Sequence, residues 1–174
     1  IEYVSKNGER KVIDDVKISN TYKFGDAELE IFTDLVEDGV DSKSAMYATR
    51  LLSRNSFETQ QEREIFIKCI RSNIDFNGAR HISGLFVDCY TPEQDELLNA
   101  CLGIGLRSDD IAYAVGNNLD IEKCKHLAKI RSAVGGGDYP LHVITNFDAS
   151  QCDSYYSLVR NGINPRLSYD KIAS

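Results

Sequence analysis

Cys124 and His126, with His142 and Cys152 further along, are the residues of this sequence whose types could hold a metal ion. A structural zinc site needs four ligands, usually brought as two close pairs. Only one pair is present here, and helix residues two apart point to different faces. No metal and no other cofactor is therefore expected. The five cysteines, Cys69, Cys89, Cys101, Cys124 and Cys152, form no Cys-x-x-Cys pair and are odd in number. They read as reduced, small apolar side chains of a cytoplasmic protein. Gly135-Gly136-Gly137 could cradle a phosphate, but it follows a helical pattern and lacks both a Gly-Lys-Ser/Thr ending and a Gly-x-Gly-x-x-Gly spacing; it reads as a loosened helix stop. Neither Gly-x-Ser-x-Gly nor His-Glu-x-x-His occurs. Asp95 with Glu96, and Glu62 with Glu64, lie near helix starts, where carboxylates complement the helix dipole. They are expected to be solvated, so no acid–base pair and no catalytic activity is expected.

Charge and length narrow the partners. A net charge of −7 with no basic stripe disfavours a phosphate backbone, and the longest apolar runs are too short for a membrane span or a signal-peptide core. With 42% hydrophobic and 27% charged residues, the 174-residue chain can bury a sizeable core. Ile1 is not an initiating residue, so the chain is expected to continue upstream, where a leader could lie. Another protein is the expected partner, with nucleic acid and membrane excluded and the chain itself monomeric.

The elements that would position such a contact recur along the chain. Residues 1–23 are set apart: Asn7-Gly8, flanked by Ile1, Tyr3 and Val12, predicts a β-hairpin closed by a type I′ turn, followed by an irregular link from Asp15 to Phe24. From residue 24 to residue 174 a unit repeats, opening at Phe24, Phe57, Tyr90, Leu119 and Phe147. Thr91-Pro92-Glu93-Gln94 predicts a capping box with Pro at N1, and Thr59, Asp120 and Asp148 stand in the same N-cap slot. Each following helix carries an apolar stripe. Its first residue is Phe32, Phe66, Leu98, Leu127 or Tyr155; three on lie Leu35, Cys69, Cys101, Ile130 and Leu158; four on lie Val36, Ile70, Leu102, Arg131 and Val159, with Arg131 as the one break. Each stops at Gly39-Val40-Asp41, Asn73-Ile74-Asp75, Gly105-Leu106-Arg107, Gly136-Gly137-Asp138 or Gly162-Ile163-Asn164, where Gly or Asn can take the left-handed conformation. The Asp or Asn then caps a shorter helix: Ser42–Ser53, Asn77–Val87, Asp109–Val115, Pro140–Thr145 and Pro165–Ala173. A lone pair of this kind cannot cover its stripe, whereas stacked pairs can. The expected fold is all-α: an α-solenoid of about five helix-turn-helix units behind a short N-terminal β-hairpin.

Tyr139-Pro140-Leu141-His142, followed twenty residues on by Gly162-Ile163-Asn164, resembles the ankyrin repeat, in which a Thr-Pro-Leu-His turn starts the inner helix and Gly-Ala-Asp ends the outer one. The pattern extends over residues 24–174 and is closest over 139–164. It departs in spacing: Tyr47 stands only six positions after Asp41, too close for the projecting β-finger of that family. The resemblance implies that Tyr47, His81, Tyr113 and His142, which share one column, tie adjacent repeats together; the other reading of the column is an aromatic strip that recognises a partner. A solenoid offers extended surface without a pocket, so the protein is expected to be an interaction scaffold or adaptor. Lys43, Met46, Arg50, Arg80 and Asp109 lie beside that column and are the expected partner contacts. The alternative is an accessory domain of a larger enzyme, effector or toxin, acting in the producing cell or in a host, with its catalytic part outside this stretch.

Overall fold

The computed structural model describes residues 1–13, 24–87, 90–135 and 139–174, the side chain of Tyr139 excepted. The described residues form ten helices and one two-stranded sheet, in two compact units, Ile1–Cys89 and Tyr90–Ser174.

The first unit opens with β1 (Glu2–Val4) and β2 (Arg10–Val12), antiparallel with Tyr3 opposite Lys11. The connection corrects the expected type I′ turn. That turn needs positive φ at both Asn7 and Gly8, yet only Gly8 has it, at +79°. Gly8 N–H donates to the Ser5 carbonyl (2.8 Å) and Ser5 N–H to the Glu9 carbonyl (2.8 Å), the pattern of a three-residue connection with glycine in its left-handed position. The strands are also shorter than the runs flanking the turn suggested. Tyr3 is buried, while Val4 and Val12 are exposed on the opposite face. Most of the link ascribed to Asp15–Phe24 lies outside the described residues.

Two helix pairs complete this unit: α1 (Asp26–Glu37) with α2 (Ser42–Ser53), and α3 (Gln60–Arg71) with α4 (Phe76–Gly84). In the second unit α5 (Pro92–Ile104) pairs with α6 (Ser108–Gly116), α7 (Ile121–Val134) with α8 (Tyr139–Asn146), and α9 (Ala149–Arg160) with α10 (Pro165–Ala173). The longer helices α5, α7 and α9 pack in succession, as do α8 and α10.

The starts and stops follow the sequence closely. Thr91 and Gln94 exchange side chain-to-backbone hydrogen bonds (3.3 and 3.0 Å), and Asp148 and Gln151 do the same (2.8 and 3.0 Å). Thr59 and Asp120 accept from the amides of Glu62 and Lys123 (3.0 and 2.7 Å). At the stops Gly39, Asn73, Gly105 and Gly162 all have positive φ. The apolar residue after each folds back: Val40 N–H reaches the Leu35 carbonyl, Ile74 the Cys69 carbonyl, Leu106 the Cys101 carbonyl and Ile163 the Leu158 carbonyl, at 3.0 to 3.2 Å. This is the six-to-one bond of a Schellman ending. Asp41, Asp75 and Asn164 then cap α2, α4 and α10, but Arg107 offers α6 no side-chain cap. Gly136, Gly137 and Asp138 lie outside the described residues. Helix α4 ends at Gly84, before the expected Val87.

The stripe supplies much of the core, although Val36, Leu102 and Leu158 are only half-buried. Phe32, Phe66, Leu98, Leu127 and Tyr155 have no exposed surface, and the opening rings of Phe24 and Phe57 lie against Phe32 and Phe66 at 5.3 Å between centroids. Arg131, the apparent break, keeps its place by pairing. Its Nε and Nη2 donate to both oxygens of Asp110 (2.8 and 2.6 Å), and Asp110 is wholly buried on α6.

Candidate interaction surface

In the first unit, the N-terminal halves of α2 and α4 enclose an open concavity of about 470 Å³ lined by Lys43, Ser44, Tyr47, Asp75, Phe76 and Asn77. The caps determine its position. Asp41 accepts from the amides of Lys43 and Ser44 (3.1 and 3.0 Å), and Asp75 from those of Asn77 and Gly78 (both 3.0 Å), so each short helix starts at a fixed residue. The Ser44 hydroxyl, then the Ser44 and Lys43 amides, hold the Asp41 carboxyl below the usual carboxylate range. From those starts, the 3.6-residue period brings Tyr47 and Phe76 to one wall, with ring centroids 5.7 Å apart. Phe76 is braced edge-on against the buried Phe66 at 5.8 Å. Tyr47 remains 39% exposed, and Lys43 and Asp75 bring a cationic and an acidic residue to the same lining.

The expected partner contacts are distributed unevenly. Lys43 is exposed, and Met46 and Arg50 are half-buried on the same helix. Asp109 is exposed but belongs to the second unit. Arg80, with its side chain 40% exposed, is also engaged within the fold. Its guanidinium donates to Glu62 Oε1 (2.7 Å) and to the Ser56 carbonyl (3.3 Å), and it lies over the Phe57 ring at 5.2 Å. Glu62 in turn is buried, not solvated, and its second oxygen accepts the Glu58 amide (2.7 Å). Asp95 departs from the solvated reading too: half-buried, it accepts from the Tyr90 hydroxyl (2.9 Å) and the Asn99 amide (3.0 Å). Glu64 and Glu96 are exposed.

The aromatic and histidine column divides in the same way. Tyr47 contributes to the concavity, and His81 and His142 are exposed. Tyr113 reaches across to α8, where its hydroxyl meets Thr145 Oγ1 at 2.8 Å. Among the described residues no hydrogen bond joins Tyr47 to His81 within the first unit, and within the second Thr145, not His142, answers Tyr113. Of the residues weighed as metal ligands, Cys124 turns its sulfur to Cys101 at 3.6 Å, His126 Nδ1 lies 3.7 Å from Asp153, and Cys152 is buried. Among the described residues no group of three or more His, Cys, Asp or Glu side chains is arranged to hold a metal ion. None of their helices is long and apolar enough to cross a membrane.

Phe76 carries no stripe signal in the sequence because it stands at the first position of α4, directly after the Asp75 cap. Its signal was an aromatic residue directly after a cap, where the first helical turn leaves a side chain room to project. Comparison with protein-family models, with curated proteins and with solved structures finds no match.

Proposed function

We propose that the chain is an ankyrin-like, finger-less repeat scaffold of the α-solenoid type that binds another protein and has no catalytic role of its own. The observation that carries this reading is the Tyr47–Phe76 wall: two aromatic rings in an open concavity whose lining also includes Lys43 and Asp75. Protein interfaces favour such a centre, because tyrosine offers a large apolar ring with a polar tip at low entropic cost, and a charged rim sets register. The contact is therefore assigned to Lys43, Tyr47, Asp75 and Phe76, with Met46 alongside; Arg80 acts within the fold by holding the Glu62 carboxylate. The repeated caps and Schellman endings support the scaffold reading, since three of the short helices, α2, α4 and α10, start in the same way, on an Asp or Asn cap.

The test places a photo-crosslinking residue at Tyr47 of the full chain in its native cell, with the same residue at exposed Glu122 as control. One protein captured at position 47 and not at 122, whose binding to the purified chain weakens at least tenfold on Tyr47→Ala and Lys43→Glu, is the expected result. Equal capture at both positions, or unchanged affinity in both variants, would overturn the assignment.

A further inference from the structure

Cys101 and Cys124 form a pair that no part of the scaffold reading uses. They lie 23 residues apart in sequence, one in the last turns of α5 and the other in the first turns of α7, and neither has any exposed surface. Their sulfurs are 3.6 Å apart, with the Cys101 S–H donating to Cys124. Two reduced thiols in van der Waals contact need a further approach of about 1.5 Å to reach a disulfide bond length, a movement within the range of side-chain rotation and small helix shifts. The other described cysteines have no such neighbour: among the described residues Cys101–Cys124 is the one sulfur–sulfur contact, Cys152 approaches the Phe147 carbonyl at 4.0 Å, and Cys69 sits on α3 of the first unit.

We propose that Cys101 and Cys124 are an oxidation site: a dithiol that closes under peroxide into a disulfide fastening α5 to α7. Cys124 is the attacking sulfur, because it accepts the neighbouring S–H and stands near the start of α7, where the helix dipole favours a thiolate. Cys101 keeps its proton, held against the Cys124 sulfur and pushed further up by burial. Cys124 thiolate attacks one oxygen of hydrogen peroxide, the O–O bond breaks, and with one proton taken up this gives the sulfenic acid and water. The Cys101 sulfur then attacks the sulfenic sulfur, forming the S–S bond and releasing the sulfenic oxygen as a second water after proton transfer. Two thiols and one peroxide thus yield one disulfide and two waters. Because both sulfurs are covered, attack waits on local opening between α5 and α7, and closure back to native proximity favours this partner over any other. The disulfide then restricts the unfolded chain over the intervening loop, so the oxidised unit should melt higher.

The full chain is exposed to hydrogen peroxide under native conditions, quenched with a thiol-blocking reagent and mapped by mass spectrometry without reduction. The expected product is a 101–124 linked peptide pair, two hydrogen masses lighter than the dithiol, in excess over any link to Cys69, Cys89 or Cys152. Its melting temperature should rise by several degrees and fall back on treatment with dithiothreitol. Cys101→Ser and Cys124→Ser should each abolish the shift, while Cys152→Ser keeps it. Mapping of the unaltered chain decides the matter even where a serine variant folds poorly. Links scattered over other cysteines, oxidation to sulfinic acid without linkage, or a linked product that melts no higher would each overturn the proposal.

Discussion

The two units each bury an acidic side chain against an arginine, but they do so in opposite ways. In the first unit the carboxylate is on the longer helix α3 and the arginine on α4: Glu62 is buried, while the Arg80 side chain is 40% exposed. In the second, Asp110 is on the shorter helix α6 and Arg131 on α7, with 0% and 12% exposure. Arg80 makes one short contact to its carboxylate and uses the rest of its guanidinium on the Ser56 carbonyl and the Phe57 ring. Arg131 grips both oxygens of Asp110. Water can replace much of what Arg80 supplies, and almost nothing of what Arg131 supplies. Motifs alike in composition therefore carry different energetic stakes, and burial of the cation decides which is larger.

Removing one partner of the deeper pair should have the largest effect of any single change discussed. Arg131→Met leaves the Asp110 carboxylate dry and unpaired and should destabilise the protein by about 3–5 kcal/mol, read from the urea midpoint. Adding Asp110→Leu removes the stranded charge, so the double variant should recover much of that loss. A double variant no more stable than Arg131→Met would show that packing, and not charge, sets the cost. Arg80→Ala is the matching cut in the first unit. Glu62 keeps the Glu58 amide and water can enter where the guanidinium was, so a loss of about 1–3 kcal/mol is expected. Equal losses for Arg131→Met and Arg80→Ala would break the comparison.

The same contrast explains what was readable in the sequence. Caps and stops are local: Thr91 finds Gln94 three residues on, and Gly105 ends α5 through bonds to carbonyls a few residues back. Pattern alone places those, as it places the stripe from Phe32 to Tyr155. The two ion pairs join residues 18 and 21 apart, and which helix faces meet is decided by packing. Arg131 accordingly reads as a break in the stripe and Glu62 as a solvated carboxylate, although both sit in ordered pairs. Asn55 and Asn118, also at positive φ, end α2 and α6 just ahead of the openers Phe57 and Leu119. Their signal is an asparagine one or two residues before the opener, a stop that belongs to the shorter helix of each pair. The hairpin turn differs from its sequence pattern for a related reason: Asn-Gly suits a two-residue connection, while the backbone uses Gly8 alone in the left-handed position.

The stops allow a finer comparison between the units. Asn73 ends α3 at φ +61°, and Gly105 ends α5 at +79°. Beyond its own chain neighbours, nothing among the described residues lies within 4 Å of where a Cβ on Gly105 would sit, so the cost of substitution is conformational and not crowding by packed neighbours. Gly105→Val should lose about 1–2 kcal/mol, whereas Gly105→Asn should lose markedly less because asparagine tolerates this region, as Asn73 already does. Asn73→Gly should be neutral or slightly stabilising. Urea midpoints that ranked valine with asparagine at position 105 would show that the left-handed backbone there is not a constraint.

The smallest expected effect concerns how the hairpin is held in the first unit, an attachment with no counterpart in the second. Lys6 Nζ lies 2.6 Å from Asp34, which also meets Arg71 Nη2 at 3.1 Å, and the Glu37 carboxylate accepts the Lys6 amide through both oxygens. The Lys6 contact, followed by the charge of Arg71, holds the Asp34 carboxyl below its ordinary value, and the Asp34 contact raises Lys6. For Asp34 the folded value is depressed, so its contribution is present above the unfolded pKa of about 3.9 and is lost as pH falls through the folded value. For Lys6 the folded value is raised, so its contribution is complete below about 10.4 and is lost as pH rises through the folded value. Docking of the hairpin should therefore hold between these limits and loosen outside them. Both side chains are largely in water, which keeps the effect below that of Gly105→Val. Amide exchange at Tyr3 and Lys11, compared near neutrality and near pH 3, should show faster opening of the hairpin in acid, with Asp34→Asn bringing neutral behaviour toward the acid rate. Exchange at Leu98 in the second unit should not follow the Asp34 substitution. If it did, Asp34 would be acting on global stability and not on the hairpin alone.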